Sequence, residues 1–224
     1  MITSPSNPKL RLVRGLLGSR RRREREGLFA CEGEDLLEAA RAEGIEPVEV
    51  LVAGEDVAPE LLADVSTMGH PPRVVAVFRR DDLPRGFRDV VVALWRVADP
   101  GNVGTLLRAA DAFGASVALS AGCADPTAPR SLRASAGAVF RVPTGRFDEA
   151  PGRRIALDAH AGQPLDEVDL SPPVVFLLGA EREGLPALEA AETARIPMPG
   201  RAESLNVAMA GAIALYELGR RRKT

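Results

Sequence analysis

The sequence has 224 residues, of which 46% are hydrophobic and 27% are charged, and its formal net charge is −2. Such values are typical of a globular chain that forms one large domain or two small ones. Aromatic residues make up only 4% of the chain, which argues against a single-strand-binding surface of stacked aromatic rings.

The cysteines and histidines show no pattern of a disulfide framework or of a metal site. Cys31 and Cys123 lie far apart, and His70 and His160 lack ligand-like spacing. The N-terminal residues lack the apolar core of a signal peptide, and no apolar run approaches the roughly 18 residues of a membrane span. We therefore expect a cytoplasmic protein that binds neither metal nor membrane.

The N-terminal segment carries a dense positive charge. Residues 9–25 contain eight basic side chains and one acid, Glu24, and residues 8–25 follow the pattern of a helix. The run SRRRREREG at residues 19–27 is typical of a solvated helix face, but it also has the charge of a patch that binds nucleic-acid phosphates. The sequence leaves both interpretations open.

A small α/β unit is predicted for residues 1–80. The segment LFACEGEDLLEAARAEG at 28–44 has apolar residues at helical spacing and ends in a glycine, and the runs VEVLVA at 48–53 and RVVAVF at 73–78 are strand-like. The charged segment that follows, residues 81–89, contains proline and glycine but no apolar periodicity, so it predicts a linker.

Residues 90–224 predict a second unit, built on a mainly parallel sheet. The apolar runs here are continuous rather than alternating, and helix-like stretches separate several of them, which is typical of strands buried on both faces. Ligands of such sheets bind beyond the carboxyl ends of the strands, so the loops after the first and last runs are candidates for a site. The runs are VVVALWRVA (90–98), SVALSAG (116–122), AVFRVP (138–143), RIALDAH (154–160) and VVFLLGAE (174–181).

The loop after the first run opens the segment DPGNVGTLLRAADAFGA at residues 99–115. Asn102 or Thr105 is predicted to cap the helix that follows, and Gly104 would let another backbone or a ligand approach closely. Arg108 lies about one turn inside the helix, near an end that favours anions. The pattern fits a capped helix with a surface arginine. It also fits a binding site, but not a dinucleotide loop or a P-loop, because GxGxxG and GK[ST] are absent.

Two later segments also combine turn residues with isolated polar side chains. In LLGAEREGLP, residues 177–186, Glu181 would either cap the next turn or hold a cation such as Arg108. In the C-terminal segment, Ser204 is predicted to cap a long apolar helix. Packing does not explain Asn206 at the start of that helix, or the rigid IPMPG before it.

In this order and spacing, the three segments resemble the motifs of the SpoU family, also called the TrmH family, of RNA 2′-O-ribose methyltransferases in the SPOUT superfamily. The resemblance spans residues 90–224, and the block RASAGAVFRVP at 133–143 is similar to the block between the family's first two motifs. Residues 1–80 are more loosely similar to the family's substrate-binding domain. The matching residues are Asn102 and Arg108 in motif one, Gly179, Glu181 and Gly184 in motif two, and Ser204, Leu205 and Asn206 in motif three.

The resemblance implies a fold, a cofactor and an assembly. The fold would be an α/β fold with a mainly parallel sheet, a C-terminal trefoil knot formed by motifs two and three, and a small ribosomal-protein-like α/β domain at the N-terminus. The cofactor would be S-adenosylmethionine, bound by the backbone of the knot loops, and the protein would be a homodimer. The residues expected around the cofactor are Leu178, Gly179, Ile196, Met198 and Leu205.

The resemblance also implies the reaction, which is methyl transfer to a ribose 2′-hydroxyl of RNA, with ribosomal RNA favoured over transfer RNA. We assign Arg108 to the phosphate beside the target ribose and to the developing alkoxide, because a guanidinium is a poor base at neutral pH. The catalytic set would be Asn102, Arg108, Glu181, Ser204 and Asn206. The RNA-binding residues would be Arg20, Arg21, Arg22, Arg23, Arg25 and Arg133.

Two other classes of protein stay open. An RNA-binding relative without activity would keep the basic segment but lose the cofactor contacts. A small-molecule α/β enzyme would not need the arginines of residues 20–25.

Overall fold

The computed structural model describes residues 1–180, 184–186 and 192–222, which form two sheets and seven α-helices. Across these ranges, none of the helices has the length and apolar character that crossing a bilayer requires. The helices are α1 (Pro8–Gly18), α2 (Arg20–Glu26), α3 (Glu34–Ala42), α4 (Pro59–Val65), α5 (Pro100–Ala112), α6 (Pro129–Ser135) and α7 (Val207–Arg221).

The N-terminal unit, residues 1–79, is built on a three-stranded antiparallel sheet. Its strands are β1 (Leu28–Glu32), β2 (Glu49–Val52) and β3 (Val74–Arg79), with β3 in the centre. The two predicted strands are confirmed as β2 and β3. The strand β1 was missed, because its residues were taken together with the helical pattern of α3.

The predicted basic helix over residues 8–25 is in fact two helices. The chain breaks at Ser19, whose backbone is extended, with φ −140° and ψ 117°. The Ser19 Oγ accepts a hydrogen bond from the Arg22 amide, 3.3 Å away, as the N-cap of α2. The single-helix prediction was wrong because a serine next to Gly18 competes for helix amides with its own side chain.

The second sheet has seven strands, and every pairing among its described residues is parallel. The order across the sheet is β6-β5-β4-β9-β7-β10-β8. The strands β4 and β9 are buried along nearly their whole length, as their continuous apolar runs predict. The strands are β4 (Val90–Trp95), β5 (Ser116–Leu119), β6 (Thr144–Arg146), β7 (Arg153–Leu157), β8 (Gln163–Pro164), β9 (Val174–Gly179) and β10 (Glu192–Arg195).

Helices α5 and α7 cover one face of this sheet, where their apolar side chains share a core with Leu94 and Phe176. The contact between α5 and α6 is close, because Gly104 lies against the backbone of α6. A β-carbon at Gly104 would be 2.3 Å from the carbonyl oxygen of Ser131. The prediction that Gly104 permits a close approach is confirmed, and its neighbour is a helix backbone.

One predicted strand is wrong. Residues 138–143 do not form a strand, and Ala138–Phe140 is a 3₁₀-helix whose side chains are all buried. Phe140 packs against Phe29 and Phe78 of the N-terminal sheet, with a centroid distance of 5.4 Å to Phe78. This apolar run therefore reflects contact between the two units.

The segment between the sheets, which is predicted to be a linker, runs along the edge strand β6. It begins with a 3₁₀-helix, Arg80–Asp82. The Thr144 amide donates a hydrogen bond to the Pro84 carbonyl over 3.1 Å, and the Gly86 amide donates to the Thr144 carbonyl over 3.2 Å. The division of the chain into two domains stays a prediction.

Candidate active site

A cavity of about 930 Å³ opens at the carboxyl ends of β7 and β9, beside the first turn of α7. Its wall combines apolar side chains from three separate segments with the backbone of a strand end. The lining includes all five residues that the motifs predict around a cofactor: Leu178, Gly179, Ile196, Met198 and Leu205. The structure thus brings this set together at one place, and its assignment to a cofactor stays a prediction.

Gly179 ends β9 at the wall of this cavity. A β-carbon at this position would lie 2.3 Å from the carbonyl carbon of Gly184, so any side chain would collide with the backbone. Gly184 itself has φ +64°, in the left-handed region that glycine adopts readily. Gly179 is therefore required by the chain's own packing as well as by its place on the cavity wall.

Part of the cavity wall follows β7 and was not predicted from the sequence. Asp158 and His160 line the cavity. The Asp158 Oδ1 accepts hydrogen bonds from the amides of His160, at 2.7 Å, and Ala161, at 3.1 Å, so the carboxylate shapes this turn. A signal was available, because β7 is a strand of the same parallel sheet and ends at the same edge as β9.

Asn102 and Asn206 meet beside the cavity. The Asn206 Nδ2 donates a hydrogen bond to the Asn102 Oδ1 over 3.1 Å, which joins the first turns of α5 and α7. Asn206 and Ser204 line the cavity, whereas Asn102 is outside the lining. Since two helices begin at this edge, the positive ends of both helix dipoles favour electron-rich ligand groups here.

The cap of α5 differs from the prediction. Asp99 caps the helix, and its Oδ1 accepts a hydrogen bond from the Asn102 amide over 2.9 Å. The prediction that Asn102 or Thr105 serves as the cap was wrong, because the helix begins earlier, at Pro100. The side chain of Asn102 is consequently not needed to start the helix.

The cap of α7 also differs from the prediction. Asn206 caps this helix by accepting hydrogen bonds from the amides of Ala208, at 2.9 Å, and Met209, at 3.4 Å. The prediction that Ser204 caps it was wrong, because the helix begins only at Val207. Asn206 therefore uses its oxygen for the helix and its amide nitrogen for Asn102.

Arg108 is exposed on α5, in the same row as Asn102 and Thr105 at spacings of three residues. This spacing puts it about 9 Å along the helix axis from Asn102. Arg108 does not line the cavity, and within the described part of the chain its side chain forms no ion pair or hydrogen bond. Glu181, predicted to hold it, lies outside the described residues, so that contact stays a prediction.

The prediction that Arg23 binds RNA was wrong. Its side chain is only 4% exposed, with Nε 2.7 Å from the Asp125 Oδ2 and Nη1 donating to the Leu16 carbonyl over 2.7 Å. Burial alone would raise the pKa of Asp125, but the charge of Arg80 and the hydrogen bonds from Thr127 and Arg23 hold it below its ordinary value. Arg23 therefore joins α2 to the second unit.

The binding of Arg133 to RNA stays a prediction, and the structure gives its exposed side chain a contact within the protein. Its Nη1 lies 3.1 Å from the Glu32 Oε2, whose side chain is 1% exposed, and 3.0 Å from the Thr67 Oγ1. Because Glu32 and Thr67 belong to the N-terminal unit, the Arg133 guanidinium holds the two units together.

The four other arginines of the basic run are exposed or half-buried on α2: Arg20, Arg21, Arg22 and Arg25. Arg20 pairs with Glu24 at 2.7 Å, and both Arg22 and Arg25 pair with Glu26, at 3.2 and 3.0 Å. Their binding to RNA stays a prediction, and their charge is partly balanced by their own helix.

Residues 1–180, 184–186 and 192–222 contain no group of three or more histidine, cysteine, aspartate or glutamate side chains that could hold a metal ion.

Comparison with known proteins supplies the family. The model of the SpoU rRNA methylase family matches residues 89–216, a range that carries Asn102, Arg108 and Asn206. The chain belongs to the SpoU rRNA methylase family. Membership implies a trefoil knot in the segments that carry motifs two and three.

Some relatives of this SpoU protein match nearly its whole length. It is 32% identical to the 23S rRNA (uridine(2479)-2′-O)-methyltransferase of Streptomyces viridochromogenes, over 96% of this chain and 91% of that one. It is 30% identical to the 23S rRNA (guanosine(2553)-2′-O)-methyltransferase RlmP of Bacillus subtilis, over 90% of this chain and 92% of that one. Both matches therefore include the N-terminal unit.

Solved structures agree with the fold. The crystal structure of the SpoU methyltransferase AviRb from Streptomyces viridochromogenes, in complex with AdoMet, superposes with a TM-score of 0.86. The sequences are 28% identical, and the superposition covers 97% of this chain and 99% of that one. The arrangement of both sheets is thus shared along the chain.

Proposed function

We propose that this SpoU protein transfers the methyl group of S-adenosylmethionine to a ribose 2′-hydroxyl of RNA. The observation that carries the proposal is the hydrogen bond between Asn102 and Asn206, over 3.1 Å. It brings residues of motifs one and three together beside a cavity that all five expected cofactor residues line. An RNA-binding relative without activity would not need this arrangement.

The cavity fits the proposed cofactor. Its volume of about 930 Å³ lies within the range of small-molecule sites. Leu178, Ile196 and Met198 offer apolar walls for an adenine ring, and the backbone at the strand end offers polar groups for its edge. When bound, the cofactor supplies a methyl group on a positively charged sulfur, which is the group that a ribose oxygen can attack.

The side chains at the edge of the cavity would act on the RNA. The guanidinium of Arg108 would donate hydrogen bonds to the phosphate beside the target ribose and stabilise the 2′-oxygen as its proton leaves. Asn206 already uses both ends of its amide, so we infer that it acts by orienting Asn102 towards the ribose. The reaction selects RNA over DNA because the attacking group is the 2′-hydroxyl itself.

We propose 23S ribosomal RNA as the target and the cytoplasm as the place of the reaction. The support is that two 23S rRNA 2′-O-methyltransferases match at least nine-tenths of this chain, including the N-terminal unit. Transfer RNA is the alternative target.

We also propose a homodimer that uses the exposed face of α7. Met209, Ile213 and Tyr216 are 61%, 38% and 58% exposed, and their spacing places them in one apolar stripe. Tyr216 packs edge-on against Phe113 of α5, with centroids 6.4 Å apart, which widens the stripe. We expect light scattering to give a dimer mass for the wild type and a monomer mass for Ile213→Glu. A monomeric wild type would contradict the proposal.

The test of the activity uses purified protein, cofactor labelled in its methyl group, and unmodified 23S ribosomal RNA, with 16S ribosomal RNA and transfer RNA as parallel substrates. We expect label in the 23S RNA, at one position where the RNA backbone becomes resistant to alkaline cleavage, because the methylated 2′-oxygen can no longer attack the phosphate. Label only in transfer RNA would establish the alternative target. Label in a base, or no label with all three RNAs, would overturn the proposal.

A further inference from the structure

Three arginines outside the motifs lie near the carboxyl edge of the large sheet, from α2 to the turn that carries Asn102, and the proposed reaction uses none of them. They are Arg20 on α2, Arg96 after β4 and Arg130 at the start of α6. All three are exposed, with side-chain exposures of 53% for Arg20 and 64% for Arg130. A row of exposed guanidinium groups beside a cavity is a surface that an anionic polymer can follow.

Arg96 lies next to the cavity. Trp95 pairs with Gly179 in the sheet, so Arg96 follows directly after the strand position that pairs with the cavity wall. The Arg96 amide donates a hydrogen bond to the Ser120 Oγ over 2.9 Å. Its side chain lies across Gly122, where a β-carbon would be 3.4 Å from the Arg96 Cγ. The Arg96 side chain therefore packs along the loop that follows β5.

The backbone of Arg96 is strained. Its φ of +54° lies in the left-handed region, which glycine adopts freely and other residues adopt at a cost in folding free energy. Such residues cluster at binding and active sites. Glycine would make this turn without strain, so the turn itself does not account for an arginine at this position.

Arg20 reaches the same loop from α2. Its Nη1 donates a hydrogen bond to the carbonyl of Cys123 over 2.8 Å, and Cys123 follows the Gly122 on which Arg96 lies. The buried ion pair of Arg23 with Asp125 fixes α2 against this loop. The positions of the Arg20 and Arg96 cations are therefore set relative to each other.

Arg130 continues the row towards the active site. Its Nη1 lies 3.0 Å from the Oδ2 of Asp99, whose other carboxylate oxygen caps α5 at the Asn102 amide. Arg130 therefore lies beside the turn that carries Asn102. Because the Asp99 side chain is 37% exposed, this ion pair is open to solvent, and a phosphate can share the guanidinium.

We propose that Arg20, Arg96 and Arg130 bind phosphates of one RNA strand and lead that strand from α2 to the ribose at Asn102. The inference rests on the proposed methyl transfer to RNA. Arginine suits this role because its planar fork binds phosphate oxygens in pairs and keeps its charge at any physiological pH. The contacts are to the RNA backbone, so they add affinity without selecting a sequence.

The experiment measures binding of a labelled 23S ribosomal RNA transcript over a range of KCl concentrations for Arg96→Gly and Arg130→Gln. We expect several-fold weaker binding, with the slope of log affinity against log salt reduced by about 0.7 to 0.9 for each removed contact. We also expect unchanged affinity for S-adenosylmethionine. The matched control is Arg85→Gln, which removes an arginine that is 66% exposed and ion-paired, near the opposite edge of the sheet. The control should bind RNA like the wild type.

Arg96→Gly also separates binding from structure. If the side chain serves RNA, the affinity and the salt slope of the folded variant fall, whereas the relieved backbone strain affects only its melting temperature. A lower melting temperature with wild-type RNA affinity and slope would overturn the inference. Suppose that the wild type methylates RNA, but Arg96→Gly and Arg130→Gln bind RNA as tightly as the Arg85→Gln control. That result would overturn the proposed phosphate contacts and leave the proposed methyl transfer intact. A wild type without methyl transfer would count against the proposed function instead.

Discussion

The basic helix α2 and the helix α5 use their arginines in opposite ways. On α2, Arg23 is buried against Asp125, and several neighbours pair with glutamates of the same helix. On α5, Arg108 stands among small apolar residues, and the nearest acid on its helix, Asp111, is held by Arg141 at 2.8 Å. A sequence segment rich in charged residues can therefore offer a ligand fewer unpaired charges than a segment with a single arginine.

The largest effect is expected at Arg108. Arg108→Ala should lower the rate of methyl transfer by about 10²- to 10³-fold or more, because it removes a donor to developing negative charge. The affinity for S-adenosylmethionine, measured by calorimetry, should change by no more than a few-fold, since Arg108 is outside the cavity lining.

Two controls sharpen this result. Arg108→Lys should also be nearly inactive if the contact to phosphate is bidentate. Arg146→Ala removes a side chain that is 71% exposed and should leave the rate unchanged. Loss of cofactor binding in Arg108→Ala would mean that Arg108 contacts the cofactor, and would contradict its assignment to the RNA.

The next effect concerns stability. Arg23→Gln should lower the free energy of unfolding by about 3–5 kcal/mol, because it leaves the carboxylate of Asp125 buried with one fewer partner. Arg25→Gln, on the same helix but exposed, should change it by no more than about 0.5 kcal/mol. Urea unfolding measures both. Equal free energies of unfolding for the two variants would contradict the inference that the buried arginine stabilises the fold more than the exposed one.

A smaller stability effect separates the two tasks of Asn206. Asn206→Ala removes both the cap of α7 and the bond to Asn102, so it should cost about 1 kcal/mol of stability and most of the turnover. Asn206→Asp keeps a good capping acceptor but cannot donate to Asn102, so it should keep the stability and still lose turnover. Thermal melts and initial rates measure the two effects. Normal turnover in Asn206→Asp would show that the contact to Asn102 is not catalytic.

The smallest effect is expected on the exposed face of α2. The triple variant with glutamine at Arg21, Arg22 and Arg25 should flatten the salt dependence of RNA binding by less than the full value of about 0.7 to 0.9 per cation, because Glu26 already balances part of the charge. Glu26→Gln should do the reverse and tighten RNA binding at low salt. If both variants show the wild-type slope of log RNA affinity against log salt, this face of α2 does not contact RNA.

Much of the fold could be predicted from hydrophobic patterns. The strands β4 and β9 follow from continuous apolar runs, because a strand that is covered on both faces needs apolar residues at every position. The run at 138–143 shows the limit of this argument. Its residues are equally apolar, but Val139 and Phe140 are buried by the other unit of the molecule, and no local pattern records such a contact.

The site could be predicted only in part. The five residues that line the cavity were predicted together through the resemblance of three motifs. The helix caps were misplaced, because several residues within a few positions can serve as caps. Arg23 was misassigned because its partner, Asp125, is 102 residues away in the sequence. Sequence spacing reveals partners on the same helix but not those that folding brings from elsewhere.

The aromatic cluster of Phe29, Phe78 and Phe140 makes the N-terminal unit and the large sheet mutually dependent in their folding. Because Leu132 and Phe140 are buried only where the other unit covers them, neither part has a complete apolar core of its own at this contact. Denaturation should therefore be a single cooperative transition, with tryptophan fluorescence and backbone ellipticity changing together. A fragment that starts at residue 90 would expose this surface and should aggregate, because the partner side chains of the N-terminal unit would be missing.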